Sequence, residues 1–219
     1  MTHLDIELKR LKDEMLDMFE LVILQMTKTQ IAVSDVDREI AREVNFNEKR
    51  VNALELKIDK DCENIFALFN PVAIDLRFVL AALKINYNLE RIGDIADGIS
   101  RYVVESEKAF DKELLQVTHI DEMFNMSKQM LIDVKTAFDQ EDTRIARGIF
   151  QKDDVLDVLN ANANKTVEDF IRKHPDLINQ AILVISTVRK LERTGDQIKN
   201  IAEEIIFYIE AKVLKHVKK

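Results

Sequence analysis

The residues of this chain best suited to chemistry are carboxylates at helical spacing. Glu90 and Asp94 are one helical turn apart, so on a helix they project from one face and can close on a single ion, and Asp97 extends that face. The same spacing occurs at Glu55 and Asp59, at Asp153 and Asp157, and at Glu192 and Asp196. If paired helices bring these turns level, four carboxylates meet around one point in each half. Their repulsion is then relieved by protonation, by a bound cation or by nearby basic residues such as Arg50, Arg77 or Arg189. All-oxygen donors suit hard or borderline metal ions. Iron heads the candidates, with magnesium, manganese, calcium or zinc as alternatives, and a structural zinc site is disfavoured because Cys62 is the single cysteine.

Spacing alone identifies nothing, because with 40 acidic residues among 219 roughly seven such pairs arise by chance. Duplication is the discriminating signal. Leu89-Glu90-Arg91-Ile92-Gly93-Asp94 returns 102 residues later as Leu191-Glu192-Arg193-Thr194-Gly195-Asp196, identical at five of six positions. Gly93 and Gly195 precede the aspartates, where a missing side chain lets a ligand or a neighbouring helix approach closely. His3, His119, His174 and His216 are scattered and form no Glu-x-x-His pattern of the di-iron enzymes, so each reads as a surface or capping residue. A Gly-rich phosphate loop, a Ser-His-Asp order and a nucleophile motif are all missing, so no catalytic residue and no organic cofactor is expected.

The elements that must position these acids are long helices. Four Gly and two Pro in 219 residues leave little turn-forming material, so an all-α fold with few loops is expected. Leu4, Leu8, Leu11, Met15, Met18, Val22 and Met26 step by three or four and make one apolar stripe on a helix over about 2–32. Ser34, with Asp37 three residues on, reads as the start of a second helix running to about Asn70, with a disturbance near Asn45 to Asn47. Pro71 fits the first turn of a third helix that reaches about Lys108. A fourth helix is predicted over 111–140, a fifth over 143–172 and a sixth from Pro175 to near the end. Each half then reads as an up-down-up three-helix bundle, six long helices in all, with a boundary near Ala109 that separates residues 1–108 from 109–219.

The net charge of −8 disfavours a phosphate-backbone surface and hence nucleic acid as a partner. The start, Met1-Thr2-His3-Leu4-Asp5, lacks a signal-peptide pattern, and no apolar run approaches the roughly 18 residues that span a bilayer. A cytoplasmic protein is expected, without membrane insertion of its own. Cys62 reads as a small buried apolar residue.

Asp75-Leu76-Arg77 after Pro71, the two Leu-Glu-Arg-x-Gly-Asp segments, and Asn200-Ile201-Ala202-Glu203 together resemble the PhoU family of phosphate-signalling proteins, and the match spans essentially the whole chain. The resemblance implies two three-helix bundles, metal clusters on E/D-x-x-x-D motifs, and a cytoplasmic homodimer. It also implies a non-catalytic adaptor that restrains phosphate uptake and the phosphate-starvation response. The implied partners are a phosphate-specific ABC transporter and a membrane sensor histidine kinase, which would make the protein peripheral to the membrane. There are departures: Thr194 replaces the usual Ile, Gln197 takes the place of a common His, Asp97-Gly98 replaces an Asn-Ile run, and Asp176-Leu177-Ile178 lacks an Arg like Arg77. The alternative readings are an accessory of a different phosphate permease, a carboxylate-bound iron enzyme, and a helical scaffold without metal.

Overall fold

The apolar stripe read from the first helix is the inner face of α1 (His3–Asp35), where Leu11, Met15, Met18, Val22 and Met26 are buried. The computed structural model describes residues 2–106 and 108–213, so His216 lies outside the described residues. All regular structure among these is helical. α2 (Arg38–Phe69) and α3 (Ala73–Glu105) complete the first half; α4 (Lys112–Val117), α5 (Ile120–Gln140), α6 (Thr143–Lys173) and α7 (Ile178–Glu210) form the second.

The helix starts follow capping chemistry. Thr2 Oγ1 accepts the Asp5 N–H at 3.1 Å while the Asp5 carboxylate accepts the Thr2 N–H at 2.6 Å, a reciprocal capping box. Asp37 caps α2 and Asp142 caps α6, each accepting backbone N–H groups of its own first turn. The expected start at Ser34 is corrected to Asp37. Ser34 stays inside α1 because its hydroxyl donates across to Asp121 of α5 at 2.8 Å.

Three further expectations change. No disturbance interrupts α2 near Asn45, because the Asn45 amide turns away from its own backbone to donate to α3. Pro71 lies in the connection and not in a first turn, since Asn70 ends α2 in the left-handed region and α3 starts at Ala73. Pro175 does open a turn, the 3₁₀ segment Pro175–Leu177 that feeds α7. The predicted fourth helix is broken in two. The Thr118 hydroxyl donates to the carbonyls of Leu114 at 2.7 Å and Leu115 at 3.2 Å, and His119 then takes a φ of 55°, which ends α4 and starts α5 on a new path. His174 ends α6 with its ring 4.7 Å from that of Phe170.

α1, α2 and α3 pack on one another, as do α5, α6 and α7, and the halves meet where α3 lies along α7 and α1 along α5. α3 and α7 run antiparallel: Arg77 reaches Tyr208, Lys84 reaches Glu204, and Asn88 reaches Asn200. Phe138 joins the halves, with its ring 5.6 Å from Phe19, 6.0 Å from Phe78 and 6.3 Å from Tyr208. The connection between halves is held as well, since Gln180 of α7 bonds the backbone of Ala109 and Asp111.

Two of the glycines, Gly93 and Gly195, lie hard against a neighbouring helix. A Cβ built on Gly195 would stand 2.7 Å from both Asp153 Oδ1 and Leu156 Cδ1, whereas one on Gly148 would meet open space. Urea unfolding should therefore separate two otherwise identical changes. Gly148→Ala should stabilise by roughly 0.5–1 kcal/mol through helix propensity alone. Gly195→Ala should destabilise by about 1–2 kcal/mol because overpacking outweighs that gain; equal shifts of one sign would show that the contact at Gly195 does not constrain the helix pair.

Candidate functional site

Two helix seams each set a carboxylate against a glycine. In the first half an added Cβ on Gly93 of α3 would lie 3.0 Å from Val51 Cγ1 and 3.3 Å from Glu48 Oε2 of α2. In the second, Gly195 of α7 faces Leu156 and Asp153 of α6. Glu48 and Asp153 are 105 residues apart, as are Val51 and Leu156 and the caps Asp37 and Asp142, whereas α3 maps onto α7 with an offset of 102. The repeat thus includes the buried acid as well as the Leu-Glu-Arg-x-Gly-Asp segment that it faces.

In the first cluster Glu48 is 7% exposed and neither of its carboxylate oxygens has a hydrogen-bond partner; Glu90 Oε2 is also buried without one. Burial, followed by the charges of Asp94, Asp97 and Glu90, pushes the Glu48 carboxyl up to about 7. Burial and then Asp94 raise Glu90. Asp97 is buried but answered: Arg101 lies 2.6 Å from its Oδ2, and the Asn45 amide donates to its Oδ1 at 2.7 Å. Arg91 bridges the outer side, 3.5 Å from Glu90 and 3.2 Å from Asp94, with its guanidinium 4.9 Å above the Tyr87 ring.

In the second cluster Asp153 is 1% exposed, and Lys199 Nζ lies 2.6 Å from its Oδ2 while Oδ1 has no partner. The same ammonium is 3.6 Å from Asp196. Burial raises the Asp153 carboxyl despite that partner. Burial, then the charges of Asp196, Asp157 and Asp153, raises Glu192.

The expected residues fall into place unevenly. Asp153, Asp157, Glu192 and Asp196 share one electrostatic environment, and Glu55 joins Glu90 and Asp94 in the other. Asp59 is held by the Asn86 amide at 2.9 Å. The repeat counterparts of Glu55 and Asp59 are Asn160 and Asn164, so matching these acids to Asp153 and Asp157 by spacing is two helical turns out. Glu48, the buried acid of the first cluster that faces Gly93, was missed because its neighbour one turn on is Asn52; the equal spacing of Asp37 to Glu48 and Asp142 to Asp153 is the signal that finds it. The neutralising bases differ from those expected too. Arg77 donates to the Tyr208 carbonyl at 3.1 Å and Arg189 to Asn164 at 3.0 Å, while Arg91, Arg101 and Lys199 meet the acids.

With the side chains as they stand, no three Asp, Glu, His or Cys groups among the described residues converge on one metal position. The buried oxygens without partners, on Glu48 and Asp153, and Glu90 Oε2, which has no hydrogen bond, nevertheless supply the donor type that hard cations take. Arg91 and Arg193, equivalent in the repeat, line one open groove between α3 and α7 with Tyr87, Asn88, Gln197 and Asn200.

Glu48 gives the cluster a pH signature. Its folded value, about 7, lies above its ordinary value of 4.5, so the folded state holds this proton more firmly than the unfolded chain does. That contribution to stability is fully present below about 4.5 and is lost as pH rises through about 7. With chelator present, urea unfolding should show about 1–2 kcal/mol of stability lost between these limits after allowance for solvent screening. Glu48→Gln should remove most of that loss; an unchanged slope would mean that Glu48 is not the group responsible.

Comparison with known proteins agrees with this two-fold plan. A family model described as the PhoU domain matches twice, over residues 15–103 and 120–205. The phosphate-specific transport system accessory protein PhoU of Edwardsiella tarda is 31% identical over 211 residues, covering 96% of this chain and 86% of that protein. The protein of the same name from Escherichia coli K12 is 30% identical, with 96% and 87% covered. Among solved structures, PhoU from Pseudomonas aeruginosa superposes with a TM-score of 0.88 at 28% identity, over 95% of this chain and 99% of that one. The phosphate transport system regulatory protein PhoU from Streptococcus pneumoniae gives 0.84 at 26% identity, over 97% and 100%. Two matched segments, each holding one glycine-faced carboxylate seam, place this chain in the PhoU family.

Proposed function

We propose that the protein is a negative regulator of phosphate uptake and of phosphate-starvation signalling, acting as an adaptor and not as an enzyme. The observation that carries this reading is the near full-length similarity, through both repeats, to accessory and regulatory proteins of phosphate-specific transport. The adaptor works from the cytoplasm as a homodimer, meeting a phosphate-specific ABC transporter and a sensor histidine kinase at the membrane. None of the described helices is long and apolar enough to cross a bilayer, which agrees with attachment through partners. The two halves, 1–108 and 109–219, act as paired bundles.

In this reading the carboxylate cluster of the first half binds a divalent cation, iron first. Glu48, Glu90, Asp94 and Asp97, with Glu55 beside them, hold the cation of the first half. Such an ion neutralises buried carboxylates and thereby sets the spacing of the helices that carry them. What supports it is the set of buried oxygens left without a partner. In protein purified without chelator, Asp94→Asn should at least halve the bound metal measured by elemental analysis; an unchanged content would remove Asp94 from the ligands.

The regulatory role is tested in a strain lacking the gene, grown in abundant phosphate. Constitutive alkaline phosphatase reporter activity, reversed by restoring the gene, is the expected result. An unaltered reporter response in the deletion strain would reject starvation signalling and favour service to a different phosphate permease.

A further inference from the structure

We propose that Lys199 is a fixed cation built into the second carboxylate cluster, standing where the first cluster carries Asp97, so that the first cluster takes an exchangeable divalent cation and the second does not. This rests on the cation reading above and divides the two sites that the repeat makes equivalent.

The offset that maps Glu90 onto Glu192 and Asp94 onto Asp196 also maps Asp97 onto Lys199 and Arg101 onto Glu203, reversing both charges. The consequence is seen at the buried acids. In the second cluster the ammonium of Lys199 is 2.6 Å from Asp153 and 3.6 Å from Asp196, so one tethered positive charge serves two carboxylates on α6 and α7. Being part of the chain, it is always present, and a divalent ion entering there has to displace it or bear its repulsion. In the first cluster the equivalent position is one more carboxylate. Arg101 and Asn45 satisfy Asp97, and Arg91 bridges Glu90 and Asp94, yet both oxygens of Glu48 stay buried without a partner. Lys190 of α7 comes near this cluster from the other half. Its ammonium lies over Gly98, 5.8 Å from the Tyr102 ring centroid, and no ion pair to it is formed among the described residues. A buried, unpartnered carboxylate facing further acids is a position that a mobile cation relieves.

The test is Mn²⁺ binding by the full-length chain after chelator treatment, with free Mn²⁺ read by electron paramagnetic resonance. Glu48→Gln should weaken binding at least tenfold, and Asp153→Asn should leave it within about twofold of the wild type. Lys199→Met should increase the Mn²⁺ bound per chain, an increase abolished by adding Asp153→Asn. Equal weakening by Glu48→Gln and Asp153→Asn, or no gain in Lys199→Met, would overturn the division. Thermal unfolding with chelator present checks the fixed cation without metal. Lys199→Met should lower Tm, and Asp153→Asn in the same chain should restore much of the loss; additive losses would overturn the role of Lys199. A wild type that binds no Mn²⁺ while the unfolding cycle remains non-additive would reject the cation reading of the first cluster and support Lys199 as the fixed cation.

Discussion

A carboxylate buried against a neighbouring helix is expensive unless something answers its charge, and the repeat sets one at each of two equivalent positions, Glu48 and Asp153. Each acid sits where the facing helix has a glycine, so the backbones come close enough to exclude water from at least one of its oxygens. Close approach and buried charge are therefore one constraint. The glycine cannot gain a side chain without pressing on the acid, and the acid cannot regain water without parting the helices. The surrounding residues follow from this: Arg91, Arg101 and Asn45 around the first cluster and Lys199 in the second are the groups through which the seams are made tolerable.

The repeat places these seams on either side of the antiparallel contact between α3 and α7. Glu204 of α7, 3% exposed, is met by Lys84 of α3, and Lys190 of α7 leans over Gly98 of α3 beside the first cluster. The α3–α7 contact thereby joins the helices that carry the two seams. The ring cluster of Phe19, Phe78, Phe138 and Tyr208 ties α1, α3, α5 and α7 together away from the acids. For a regulator of phosphate transport, the proposed difference between the two helix pairs offers a way to make its surface depend on ionic conditions.

Much of this was legible in the residues. The stripe from Leu11 to Met26, the scarcity of Gly and Pro, and the duplicated Leu-Glu-Arg-x-Gly-Asp segments specify long helices, two related halves and the helix pair that carries the acids. The break at Thr118 and His119 was not legible, because it is made by a hydroxyl bonding back to Leu114 and by a left-handed His, with no Gly or Pro to mark it. Ser34 misled for a related reason: a residue type suited to capping found a partner on α5. Glu48 escaped because acids were sought in pairs one turn apart, whereas its significance comes from what α3 places opposite it. Lys199 was invisible to a search for ligands, since it is a base that pairs with Asp153 and Asp196.

In the division proposed for the two seams, one cluster depends on a mobile cation and the other carries its own. Anomalous diffraction at the manganese edge, from crystals grown with Mn²⁺, tests this most directly by showing where the ion sits. A peak is expected between α2 and α3 beside Glu48, with Lys199 undisturbed on Asp153 and no peak between α6 and α7. Peaks of similar height at both seams, with Lys199 turned away from Asp153, would contradict it.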